Sequence, residues 1–224
     1  MTRDRLRVLS LSAVLLAWSA VSPRLPRRWE PLPHMAFGLL LEVLTRAPLG
    51  LRPPRLWSGL RWGGAAAAPV VAVIAASTAS GAVRDGMAER DLPKGRRRWL
   101  LLRIPLGTVW SEEVAYRAVL GPAATRAFGP KAGRIVAAAV FGLSHVPDAR
   151  ASGDSVAGTV AVTAAAGWVF SWLHSESGSV AAPMLAHLAV NESGAVASLA
   201  VQHRRSAHGR PADEARSSGR RCRS

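Results

Sequence analysis

The chain is poor in cysteine, in acidic residues and in aromatic side chains. One cysteine among 224 residues, Cys222, excludes an internal disulfide and any cysteine-built metal site. Aromatic residues make up only 6%, and no stretch alternates apolar with polar residues in the way a barrel strand requires. No His-Glu-x-x-His helix is present, and no serine sits in a recognisable nucleophile elbow. With the only cysteine in the polar tail, a covalent nucleophile is disfavoured for any hydrolytic chemistry. Acidic residues number 14 against 29 basic ones, for a net charge of +15. In a soluble protein that imbalance would point to nucleic acid. Here no recognition motif accompanies the charge, and its placement points to a different partner.

The basic residues fall between apolar segments: Arg24, Arg27 and Arg28, then Arg52, Arg55 and Arg61, then Arg96, Arg97 and Arg98. Basic loops around hydrophobic spans are what membrane insertion selects. Hydrophobic residues make up 49% of the chain and its mean hydropathy is +0.15. The partner read from this pattern is the lipid bilayer, with no nucleic acid.

Seven apolar segments follow one another. They are Val8–Val21, Met35–Leu51, Trp62–Val83, Trp99–Leu120, Ala132–Val146, Ser155–Leu173 and Val180–Val201. Their lengths suit helices, and their Gly, Ala and Ser content suits close helix approach in lipid. The expected fold is all-α, a polytopic transmembrane bundle of six to seven spans with a polar catalytic cavity within the membrane. Glu42 and Arg46 are spaced to pair within the second segment. The Arg84–Arg98 linker and the basic tail read as cytoplasmic, and the loop His174–Ser179, without Lys or Arg, as the other side. Seven crossings would leave the Arg-rich N-terminus outside, a conflict removed if Val8–Val21 lies in the interface without crossing. The organisation expected is a variable N-terminal part with basic linker (1–98), a core (99–201) and a disordered basic tail (202–224). A cell-membrane location with a cytoplasmic C-terminal tail follows.

Three motifs carry chemistry. "WSEEVAYRAVL" holds Glu112-Glu113-x-x-x-Arg117, "FGLSH" holds Phe141-x-x-x-His145, and "APMLAHLAVN" holds His187-x-x-x-Asn191. On a helix, Glu113 and Arg117 share a face and can pair. Glu112 points about 100° away. One carboxylate can thus be held by the arginine while the other faces a cavity as general base or acid. His187 and Asn191 are also four apart and look into one space. His145 would hold or polarise a water, and His187 with Asn191 would donate hydrogen bonds to a developing oxyanion. The implied reaction is hydrolysis of a peptide bond by activated water. The bland alternative is a structural ion pair with packed histidines. His34, His174, His203 and His208 receive no role, and Trp110 and Tyr116 read as packing residues.

These motifs, in this order on separate apolar segments, resemble the CAAX prenyl protease and bacteriocin-processing (CPBP, or Abi) family of intramembrane proteases. The run "SGSVAAPMLAHLAVN" also looks like that family's third motif. The resemblance covers Trp99 to Leu199, with Tyr116 where Phe is common and Ala118 where Gly is common. It implies Glu112 as the catalytic glutamate, Glu113 and Arg117 as its supporting pair, and His145, His187 and Asn191 as water- and oxyanion-binding groups. The substrate implied is a membrane-anchored peptide or protein, prenylated or not. Two routes stay open: a glutamate-activated water, or a divalent metal such as Zn2+ held by Glu112, His145 and His187 with an open position. Two non-proteolytic readings stand beside it. One is an immunity or scaffold protein. The other is a transporter with a Glu112–His145 proton relay, for which the chain lacks an internal repeat. The sequence leaves the oligomeric state undetermined.

Overall fold

The computed structural model describes residues 1–26 and 29–208, and among them there is no strand. Nine helices follow in order: α1 Arg3–Val21, α2 Leu32–Thr45, α3 Arg55–Ser77, α4 Gly81–Glu89, α5 over 96–128, α6 Pro130–Leu143, α7 Val146–Ser152, α8 Val156–Ser177 and α9 Ala181–His208. Local signals account for the ends that matter. Thr2 caps α1 by accepting from the N–H of Arg5, and Ser155 caps α8 by accepting from Gly158. Gly129 takes φ 83°, which breaks the chain between α5 and α6, and Pro130 opens α6 where its missing N–H is not needed. Gly178, at φ 67°, turns the chain from α8 towards α9.

Helix α5 carries the first motif and is wound widely over Trp99–Trp110 and Glu113–Leu120, with i→i+5 turns. Pro105 lies in the first wide stretch, where it gives no N–H to the ladder. Wide turns of this kind recur at functional sites. The second wide stretch is buried along its whole length, from Glu113 to Leu120.

Around α5 the bundle closes. α1 packs on its C-terminal half and α2 on its middle, α6 folds back along its last turns, and α9 crosses its N-terminal half. α3 lies along α9, and α6 along α8. A central cluster joins Val8 and Leu15 of α1, Leu41 of α2, Tyr116 and Leu120 of α5, and Phe141 of α6. The outward faces stay apolar and exposed, as at Leu44, Val73, Leu101 and Val162. Apolar faces left uncovered by protein suit a lipid surround.

Among the described residues four helical stretches are long and apolar enough to cross a membrane: Arg3–Arg24, Arg55–Ser77, Val156–Ser177 and Ala181–Ala207. That is fewer than the six to seven expected. The second segment falls short because α2 has only 14 residues, about 21 Å of helix against a hydrocarbon core of ~30 Å. The Glu42–Arg46 side-chain pair does not form among the described residues. The helix ends at Thr45, and Arg46 turns left-handed at φ 51° with its N–H on the Glu42 carbonyl. Part of the expected linker is helical, as α4. The tail expected to be disordered from Gln202 is helical through His208, the end of α9. Gln202 donates to the carbonyls of Met87 and Arg90, and Arg205 pairs with Asp85. The tail's first turns and α4 therefore share one end of the bundle. The rest of the expected tail, with Cys222, lies outside the described residues.

Candidate active site

A cavity of about 360 Å³ sits among α1, α2, α5, α7 and α9 and the turn between α6 and α7. Glu112, His145, His187 and Asn191 all line it. Each arrives from a different local cause. The wide turns of α5 set Glu112 and Glu113 on diverging directions, so that Glu112 is partly exposed and Glu113 fully buried. His145 stands just past the end of α6, in the turn that leads to α7. His187 and Asn191 lie one turn apart on α9.

Behind the cavity wall is a buried charge relay. The Glu113 carboxylate receives a hydrogen bond from His187 Nδ1 at 2.7 Å. Its other oxygen lies 3.1 Å from Arg117 Nε. Burying these ions is expensive, and the arrangement offsets the cost by pairing them. Arg117 is also wrapped by aromatic faces: its guanidinium carbon is 4.1 Å from the Phe141 ring centre and 5.1 Å from that of Phe170. Phe170 in turn stacks on His187 at 5.0 Å and 24°. A cation over desolvated rings gains favourable electrostatics without an acceptor.

The ring orientations follow from these contacts. Nδ1–H of His187 is committed to Glu113, so Nε2 is the atom nearest Glu112, at 4.0 Å from its Oε2. That gap is too long for a direct hydrogen bond and is one that a bridging water fits. His145 Nδ1 lies 2.8 Å from the Phe141 carbonyl, which can only accept. The proton is therefore on Nδ1, and Nε2 presents a lone pair.

The structure thus brings together all six residues singled out from the three motifs, four on the cavity and two behind it. Sequence reasoning passed over others. Phe170 carries no motif and stands between Trp168 and Trp172 on α8, so nothing in the local sequence marks it. His34 lines the cavity with a buried Nδ1 that has no hydrogen-bond partner among the described residues. Glu30 and Arg103 form an ion pair of 2.8 Å on its wall. Trp18 and Phe37 stack at 4.4 Å and line the same wall. These residues come largely from α1, α2 and the segment between them, so the N-terminal part completes the cavity.

The expected metal ligands were Glu112, His145 and His187. Among the described residues no three His, Cys, Asp or Glu side chains gather as a metal-holding group. One nitrogen of His187 is taken by Glu113. That hydrogen bond leaves His187 Nε2 directed to the cavity, as a histidine held by a carboxylate behind it would be.

A helical bundle with lipid-suited faces, and a cavity holding a free carboxylate beside two oriented histidines, define a membrane protein built around a polar site. Residues 95–192 match the model of a family described as type II CAAX prenyl endopeptidase Rce1-like. That segment carries all three motifs and is similar to that family, and the match together with the apolar helices marks a multi-pass membrane protein. Neither a curated protein nor a solved structure matches the chain.

Proposed function

We propose that the protein is an intramembrane endopeptidase that cleaves a membrane-anchored peptide or protein with a water activated by Glu112. The observation that carries this reading is the pairing of roles between the two adjacent carboxylates. Glu113 is locked between Arg117 and His187, while Glu112 faces the cavity with no partner closer than 4.0 Å among the described residues.

In this mechanism a water sits among Glu112, His145 and His187. Glu112 takes one of its protons, and His145 Nε2 accepts a hydrogen bond from the other. The oxygen attacks the carbonyl carbon of the scissile peptide bond. Asn191 donates to the oxygen as it becomes negative, joined by His187 when its Nε2 carries a proton. The tetrahedral species collapses with cleavage of the C–N bond, and Glu112 returns its proton to the leaving amine. A positioned general base contributes about 10²–10⁴-fold, and a preorganised oxyanion donor a similar factor. Glu113, Arg117 and Phe170 position His187 and do not touch the substrate.

The family match supports a CAAX-type protease and a peptide or protein substrate in a membrane setting. A prenylated substrate and a cytoplasmic C-terminal end are the finer parts of the proposal. The scaffold alternative is less favoured, because a scaffold needs neither an unpaired carboxylate nor two oriented histidines in a cavity.

The test is cleavage of membrane-anchored and prenylated peptides by protein reconstituted in liposomes, comparing wild type with Glu112→Gln and His145→Ala. Each sample is run with and without chelator. Loss in both variants and indifference to chelator is the expected result. Full activity in both variants would sink the assignment, and loss on chelation would restore a metal at Glu112, His145 and His187.

A further inference from the structure

Arg117 has a second side. Beyond the buried relay it forms the inner wall of another cavity, about 500 Å³, between the ends of α5 and α8 and the start of α6. Its Nη1 and Nη2 are buried and have no hydrogen-bond acceptor among the described residues. Arg55, Arg126, Arg134 and His174 line the same cavity, and no carboxylate does. Two of these arginines are anchored in place. Arg134 donates to Ser175 at 2.9 Å and lies over the Trp168 ring at 5.3 Å, and Arg55 lies against Gly178.

We propose that this cavity binds a phosphate-bearing anion, supplied by the headgroup of an anionic phospholipid. Four arginines line this cavity with no carboxylate among the lining residues, and Arg117, paired through Nε with Glu113 behind it, keeps two buried nitrogens without an acceptor. Guanidinium forks suit phosphate oxygens in particular. The neighbouring surface favours a lipid source. Ile135, Trp168 and Val169 are large, apolar and exposed beside Arg134. Tryptophan and arginine together at the edge of an apolar band are the signature of a headgroup layer. Arg117 lines this cavity and not the one with Glu112, and the inference rests on binding alone, independent of cleavage.

The experiment is native mass spectrometry of the full chain in detergent, titrated with phosphatidylglycerol, phosphatidylcholine or inorganic phosphate. The variants are Arg126→Gln/Arg134→Gln and a charge-matched control, Arg61→Gln/Arg97→Gln, which lies outside this cavity. Thermal unfolding of each variant verifies that it is folded. Wild type should retain phosphatidylglycerol well above phosphatidylcholine. Each arginine near a headgroup is worth on the order of fivefold, so the double variant should bind about thirtyfold more weakly and the control should be unchanged. Displacement of the lipid by millimolar phosphate would confirm the phosphate as the recognised group. Phosphate binding without any lipid preference would assign a soluble source to the same site. Equal retention of both lipids with no phosphate binding, or equal loss in variant and control, overturns the proposal.

Discussion

His187 Nδ1 and Glu113 Oε1 stand 2.7 Å apart, joining α9 to α5 across 74 residues of sequence. Glu113 is fully buried and Arg117 nearly so. Glu113→Gln keeps an acceptor for His187 but removes the charge opposite Arg117. An uncompensated buried cation costs about 3–5 kcal/mol. The variant should therefore show a clearly lowered unfolding temperature in detergent together with lost cleavage. An unchanged unfolding temperature would mean that the ion pair contributes little to holding the helices.

Glu112→Gln should behave oppositely. The Glu112 side chain is 27% exposed and makes no close ion pair, so its loss leaves packing intact. Cleavage should fall by about 10²–10⁴-fold at an unchanged unfolding temperature. The two neighbouring variants thus separate catalysis from stability, and a drop in stability for Glu112→Gln would refute the division of labour.

Phe170 tests whether ring orientation matters. It stacks on His187 and faces Arg117. Phe170→Leu keeps apolar volume and removes both ring contacts, which together are worth about 1–3 kcal/mol. If the ring fixes His187 for the oxyanion, kcat should fall by roughly tenfold or more with little change in KM. A change in KM alone would place Phe170 in substrate binding instead.

How far the site could be read in advance depended on distance along the chain. Glu113 and Arg117 are four apart, and helix geometry alone brings such residues to one face; the pair forms at 3.1 Å. The same spacing at Glu42 and Arg46 gives no pair, because a left-handed residue ends α2 between turns. Periodicity describes residues inside a helix and says nothing about where the helix stops. The His187–Glu113 contact lies beyond any local rule, and so does the aromatic cage on Arg117. The apolar segments were legible as helices, since hydrophobic runs leave little else in lipid. Their number of crossings was not, because a 14-residue apolar helix such as α2 falls between a span and a buried core helix. The contribution of Trp18, His34 and Phe37 to the cavity was hidden because α1 and α2 meet α5 only in the folded bundle.

Gly142 offers the sharpest test that helix spacing sets the site. A Cβ there would lie 2.7 Å from the Val160 carbonyl oxygen and 2.8 Å from the Ala164 Cβ, both on α8. A backbone oxygen cannot swing away, so Gly142→Ala must push α6 off α8. Phe141 and His145 ride on that end of α6, which means the displacement reaches the Arg117 cage and the water-holding nitrogen together. Overpacking of this kind costs about 1–3 kcal/mol, and cleavage should fall with it. Gly64 on α3 provides the contrast, since a Cβ there meets nothing within 4 Å. Gly64→Ala should leave cleavage untouched and stabilise by about 0.5–1 kcal/mol through helix propensity. If the two substitutions affected stability and cleavage alike, close approach of α6 and α8 would not be what sets the catalytic geometry.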